Sequence, residues 1–252
     1  MNQTFAFIIC LLFPCFMSTL GACLIFFFNT SSNKINLITN GLSSGIMFSA
    51  SIWSLLLPAM DYSSSLWGHF RFVPIGVGFT LGVIFLILLD LACSILVKKN
   101  TNMSKPIKFF SAMTIHNIPE GLAVGFCIGT ALASQSNFMP AVMFAVGIAI
   151  QNFPEGFATA LPLNKFLSNK PKVFFLSFLS GLVEPIFCLL GYFLAIKITF
   201  LLPWVLSFAA GTMIFVVIKD LLPELHEYKI KSLGPIMFCI GFLIMFSLDI
   251  CL

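Results

Sequence analysis

Two short stretches hold most of the residues in this chain whose types and spacing suit chemistry. Residues 116–121 read HNIPEG and residues 151–156 read QNFPEG. Both follow the pattern N-x-P-E-G. His116 and Glu120 are four residues apart, so on a helix they share one face, and Gln151 and Glu155 do the same. Imidazole, carboxylate and amide groups aligned this way bind cations or relay protons. A third stretch, SGLVEPIF, adds Glu184, preceded by a glycine and followed by Pro185.

The surroundings make these residues unusual. Of the 252 residues, 59% are hydrophobic and 9% are charged, and mean hydropathy is +1.06. A soluble domain carries about 25% charged residues, so the composition is that of an integral membrane protein. The net charge of +4 comes from lysines scattered in loops, which argues against nucleic acid as a partner. Eight cysteines form no CxxC pair and nearly all lie in apolar runs, so they read as small core thiols.

Apolar runs near 5–28, 37–60, 72–97, 107–130, 138–163, 171–196, 201–221 and 233–252 supply the positioning elements. Each is long enough to cross about 30 Å of hydrocarbon as a helix. The expected fold is therefore all-α, a polytopic membrane protein of eight transmembrane helices forming a single transmembrane domain over 1–252. The first run has no basic flank and continues past Cys23, so it reads as a membrane helix and not as a removed signal. The odd-numbered connections and their edges hold Lys34, Lys98, Lys99, Lys105, Lys108, Lys165, Lys170, Lys172, Lys219, Lys229 and Lys231. The even-numbered ones hold only Arg71 and Lys197. That asymmetry places both termini on the non-cytosolic side, in a plasma or organelle membrane.

Depth along the helices brings the polar residues together. At about 1.5 Å per residue, His116 and Glu120 lie roughly 14 and 20 Å from the cytosolic edge. Glu155 and Gln151 lie roughly 12 and 18 Å deep on the antiparallel neighbour, and Glu184 roughly 20 Å deep. His116 is thus expected beside Glu155, and Glu120 beside Gln151, with Asn117 and Asn152 one step round each helix. Each buried carboxylate costs about 2.5–3.5 kcal/mol on insertion scales, and no Lys or Arg sits at that depth. Three such groups must be protonated, hydrated or neutralised by a cation. Imidazole with carboxylates and amides suits Zn²⁺, Fe²⁺ or Mn²⁺ as a transported substrate, with no prosthetic group. Pro119 and Pro154 are expected to disrupt their helices one turn back and free the carbonyls of Ile115 and Ile150. Weaker candidates are Asp90, the edge pair Lys219 and Asp220, and the outer groups Asp61, His69 and Asp249. Glu224, His226 and Glu227 in a loop and Met47, Ser51 and Ser54 in the second run complete the set.

HNIPEG, QNFPEG and the glutamate of GLVEP together resemble the ZIP family of zinc and iron permeases (Zrt- and Irt-like proteins). GLSSGIMFSASIWSLLLPA and AAGTMIFVVIKDLLPELH are similar to other helices of that family. The resemblance implies eight spans, with helices 1–3 and 6–8 an inverted repeat around helices 4 and 5. It implies carriage of divalent metal into the cytosol by alternating access with an elevator-like movement, in a homodimer. It also implies a two-metal site. His116, Glu120, Gln151 and Glu155 would hold one ion. Asn117, Asn152 and Glu184, with the shared Glu120 and Glu155, would hold the other. Asn152 departs from the aspartate of some relatives, Lys219 from an acidic or histidine residue, and the connection between spans 3 and 4 lacks histidine.

The expected function is transport of zinc, with iron, manganese or cadmium as alternative cargoes, and no catalysis. Protonation of the glutamates is expected to couple to metal release. A proton-coupled carrier of small solutes accounts for the carboxylates but not for His116 and the doubled motif. An intramembrane metalloenzyme needs a general base beside an open zinc position, and no HExxH is present.

Overall fold

The computed structural model describes residues 2–28, 33–97, 104–225 and 232–251, and these are almost wholly helical. Helix α1 spans Gln3–Cys23, opened by the Asn2 side chain accepting from the Thr4 amide. Helix α2 (Asn33–Ala50) runs through a wide π-helical turn, Ser51–Leu56, into α3 (Leu57–Trp67). Gly68, at φ +51°, then turns the chain, a conformation that L side chains avoid. Helices α4 (Phe72–Val97), α5 (Ser104–Ala133) and α6 (Met139–Leu167) follow. Next come α7 (Lys170–Gly181) and α8 (Val183–Lys197). Helix α9 (Leu202–Val216) passes through a second π-helical turn, Val217–Leu221, into the short α10 (Leu222–Glu224), and α11 is Leu233–Cys251.

Among the described residues seven helical segments are long and apolar enough to cross a membrane. They are Gln3–Phe26, Lys34–Phe70, Phe72–Ala92, Met139–Leu167, Lys170–Lys197, Thr199–Leu221 and Leu233–Cys251. The remaining expected span is α5. It is 30 residues long, but His116, Asn117 and Glu120 keep it out of the apolar set. The second segment outlasts the apolar run predicted for it. Hydroxyls in DYSSS bond back to the helix, Ser64 to the carbonyls of Met60 and Asp61 and Ser65 to that of Tyr62, and Ser63 reaches the carbonyl of Arg71.

The prolines act differently from the expectation. Helices α5 and α6 continue unbroken through Pro119 and Pro154. Each proline removes one backbone bond, and neighbouring helices hold the rest in place. The break comes instead before Pro185, which has no N–H to offer the carbonyl of Gly181. Helix α7 ends at Gly181 and α8 restarts one residue later.

Polarity is inverted relative to a soluble protein. Phe5, Phe16, Leu88, Phe193 and Ile250 are exposed, whereas His116, Glu120, Gln151, Asn152, Glu155 and Glu184 are all at most 3% exposed. Lipid as solvent explains both observations. The dominant packing pairs are α1 with α6, α5 with α8, α2 with α11 and α4 with α9. Helices α5 and α6 also touch each other, and α5 packs against α9 and α6 against α2.

Candidate metal centre

Close helix contacts fix the two motifs. A Cβ on Gly121 would collide with the carbonyl of Glu184, and one on Gly156 with the carbonyl of Ser18. The glycines therefore let α8 and α1 lie directly against α5 and α6 at the level of Glu120 and Glu155.

The side chains meet as the depth count expects. His116 Nε2 lies 2.8 Å from Glu155 Oε1. The Gln151 amide donates to Glu120 Oε1 at 3.0 Å. Asn152 donates to Glu184 Oε2 at 2.7 Å. Asn117 donates to the carbonyl of Ser180 at 3.1 Å, and Thr114 donates to the Ser180 hydroxyl at 3.1 Å. Ligand atoms of His116, Glu120 and Glu155 lie within 4.8 Å of one another, a compact three-ligand group. Zinc with bonds of about 2.0–2.2 Å separates its ligand atoms by roughly 3.3–3.6 Å, so modest side-chain movement fits the trio around one ion. Glu184 stands outside this trio and accepts from Asn152, which lies three residues before Glu155 on α6.

Six oxygens in this group have no hydrogen-bond donor among the described residues. They are Asn117 Oδ1, Glu120 Oε2, Gln151 Oε1, Asn152 Oδ1, Glu155 Oε2 and Glu184 Oε1. Each amide spends its N–H on a carboxylate or carbonyl and leaves its oxygen over. A buried unpaired acceptor costs about 1–3 kcal/mol, and buried polar groups in proteins are almost always paired. Six at one place are a set of acceptors lacking a positive charge. Among the described residues no Lys or Arg forms an ion pair with any of them.

The chain matches the family model described as ZIP Zinc transporter over residues 107–249, more than half its length and including every residue of the centre. The chain belongs to the ZIP family. A relative from Homo sapiens, "Zinc transporter ZIP11", is 31% identical, with 93% of each chain covered. The protein of the same description from Xenopus tropicalis is 32% identical at the same coverage. "Zinc transporter GufA" from Myxococcus xanthus is 36% identical over 60% of this chain and 58% of its own. ZIP membership makes the chain a metal transporter and not an enzyme, with a candidate metal-binding site at His116, Glu120 and Glu155.

The weaker candidates scatter. Lys219 does not take Asp220 as its ion-pair partner. It reaches across to Asp90 on α4 at 2.7 Å and lies over the Phe215 ring. Asp249 accepts from Ser54 at 2.6 Å, joining two residues that the sequence reading had kept apart. Ser54 also lines a cavity of about 430 Å³ at the end of the bundle where α5 hands over to α6, with Tyr62, Cys127, Thr130 and Asn137. Met47 is buried in the core and receives the Ser43 hydroxyl at 3.8 Å. His226 and Glu227, with Lys98, Lys99, Lys229 and Lys231, lie outside the described residues, and so does the side chain of Glu224. The sequence reading missed Ser180, whose backbone carbonyl holds Asn117, and Thr114, which bonds the Ser180 hydroxyl. The only signal for Ser180 was a polar residue just ahead of GLVEP.

Proposed function

We propose that this chain carries zinc into the cytosol through a two-metal station at the α5–α6 crossing, with iron, manganese and cadmium as competing cargoes. The observation that carries the proposal is the group of six buried, donorless oxygens around His116. One divalent ion held by His116, Glu120, Gln151 and Glu155 turns three of them, on Glu120, Gln151 and Glu155, into ligands. A second ion, held by Asn117, Asn152 and Glu184 with the shared Glu120 and Glu155, takes the rest. The "zinc transporter" descriptions of the ZIP relatives support zinc as first cargo.

The station works inside a single domain, residues 1–252, of eight spans with both termini non-cytosolic. The lysine asymmetry supports that orientation, and the length of α5 supports its being the eighth span. The packing favours an inverted repeat. Exchanging the first three spans with the last three, and α5 with α6, turns the pair α1–α6 into α8–α5 and α2–α11 into α9–α4. It also exchanges the two π-helical turns, each followed by Leu-Pro, at Pro58 and Pro223. Helices α1, α5, α6, α7 and α8 form one set, and α2, α3, α4, α9 and α11 the other. Sliding of the metal-bearing set against the other, across the α2–α6 and α5–α9 contacts, gives alternating access. The chain acts as a homodimer, a reading carried by the family resemblance.

Uptake of radioactive zinc into proteoliposomes tests the reading. Saturable uptake that collapses in both His116→Ala and Glu120→Ala supports it. Uptake that survives both substitutions makes the centre structural and overturns it.

A further inference from the structure

We infer that metal leaves the centre along the α2–α6 seam, down a ladder of uncharged oxygens that runs from Glu155 past the Ala158 carbonyl and Ser43 to Asn40 and Asn36. The inference rests on the proposed reading of the centre as a metal station and of the first turn of α2 as cytosolic.

Two helix faces build the seam. Gly41 and Gly45 seat α2 against α11, where a Cβ on either would strike Gly234, Met237 or Phe238. Asn36, Asn40, Ser43 and Met47 recur at helical spacing on the opposite face of α2. All four are at most 4% exposed. On α6, Phe153 and Gly156 lie against Gly21 and Ser18 of α1. Gln151, Glu155, Ala158 and Pro162 occupy the face turned away from α1 at the same spacing. Gly147 sets the register, since a Cβ there would lie 3.7 Å from Ser54 Oγ. Gly147 is early in α6 and Ser54 late in the second span, so the packed helices run antiparallel. Eleven residues back along the second span and eleven onward along α6 bring Ser43 level with Ala158.

Oxygens are left over along this seam. Pro162 lies inside α6 and has no N–H, so the Ala158 carbonyl lacks its helical donor about one turn below Glu155. The Ser43 hydroxyl makes only a weak contact, with the Met47 sulfur at 3.8 Å. Asn36 Oδ1 has no donor among the described residues. A seam that served packing alone would pair such groups across it. Unspent oxygens suit faces that are wet in one state and closed in another. In the proposed cycle α2 and α6 belong to the two sets that slide past each other, so water enters here as they part. Residues 156–163 and 35–46 include no charged residue, histidine or cysteine. Neutral oxygens replace part of an ion's hydration shell without the grip of carboxylate or imidazole, which lets the ion both enter and leave. An ion freed from Glu155 therefore meets nothing on the way down that retains it.

Equilibrium dialysis of the full-length protein with zinc, and zinc uptake into proteoliposomes, test the route together. Asn40→His places a strong ligand on the ladder. It is expected to bind an additional zinc ion beyond the wild type and to cut uptake by about tenfold or more, because added affinity shows mostly as slower dissociation. Asn36→His, in the first turn of α2, is expected to do the same at a helix end that tolerates change, and it decides where Asn40→His fails to fold. Ser247→His, on the exposed side of α11, is expected to change neither binding nor uptake. Normal uptake in the ladder variants overturns the route, whether or not they bind further zinc. Reduced uptake without the additional ion shows a packing role and overturns it too, as does an equal loss in Ser247→His. Zinc binding by neither wild type nor variants defeats the reading of the centre instead.

Discussion

Replacing Asn152 by aspartate probes the link between Glu184 and the rest of the centre. Asn152 donates its amide N–H to Glu184 Oε2 at 2.7 Å. Aspartate keeps the shape and loses the donor. The lost bond to a charged acceptor is worth about 1.5–3 kcal/mol. Two facing carboxylates at that separation would also repel by about 6 kcal/mol at an effective dielectric constant of about 20. Side-chain rotation or an intervening cation relieves most of that. Without metal, the net loss is set at about 2–3 kcal/mol, and the midpoint of thermal unfolding in chelator falls by about 5–10 °C. With saturating zinc the new carboxylate becomes a ligand, so the zinc-induced rise exceeds that of the wild type. Melting curves of both proteins in detergent, with chelator and with zinc, supply the four midpoints required. If the variant melts in chelator at or above the wild type and its zinc increment is unchanged, the bond from Asn152 to Glu184 does not organise the centre.

Gly121→Val drives a branched side chain into the backbone of Glu184. It is expected to cost at least about 1–3 kcal/mol and to weaken zinc binding as α8 is displaced, read by thermal melting and dialysis; native stability with native affinity would refute the close-contact argument. Lys219→Ala breaks the pair with Asp90, whose side chains are 38% and 59% exposed. Such pairs contribute at most about 1 kcal/mol, so melting is expected to change by no more than that, and a larger loss would show that the pair holds α4 against α9.

Much of the centre was legible because two constraints act together. A carboxylate or imidazole in hydrocarbon needs a partner, and helix geometry converts residue number into depth. Those constraints paired His116 with Glu155 and Gln151 with Glu120 before any coordinates. The helix ends were less legible, since DYSSS looks like a loop in sequence but its hydroxyls return to the helix backbone and carry α3 to Trp67. The prolines misled for a related reason. A single missing N–H is a local fact, whereas the continuity of α5 and α6 through Pro119 and Pro154 depends on the packing of α8 and α1 against them. The partners of Asp249 and Lys219 were hidden because nothing local indicates which distant helix brings Ser54 or Asp90.

The doubled motif also explains why the centre is uneven. The first residue of each motif contacts the glutamate of the other, His116 with Glu155 and Gln151 with Glu120, so the middle of the centre is reciprocal. The flanks are not. Gly121 meets the carbonyl of Glu184 on α8, and the matching Gly156 meets the carbonyl of Ser18 on α1. Where one side offers a carboxylate, the other offers a buried hydroxyl. Asn152 accordingly finds Glu184, while its counterpart Asn117 falls back on the backbone of Ser180. Negative charge is thereby displaced from the crossing towards α8. A first ion placed between His116 and Glu155 leaves charge still uncompensated on the α8 side. In the proposed two-metal station, a second ion would be drawn there by Glu184 and, with one carboxylate on that flank, would be held the more loosely of the two.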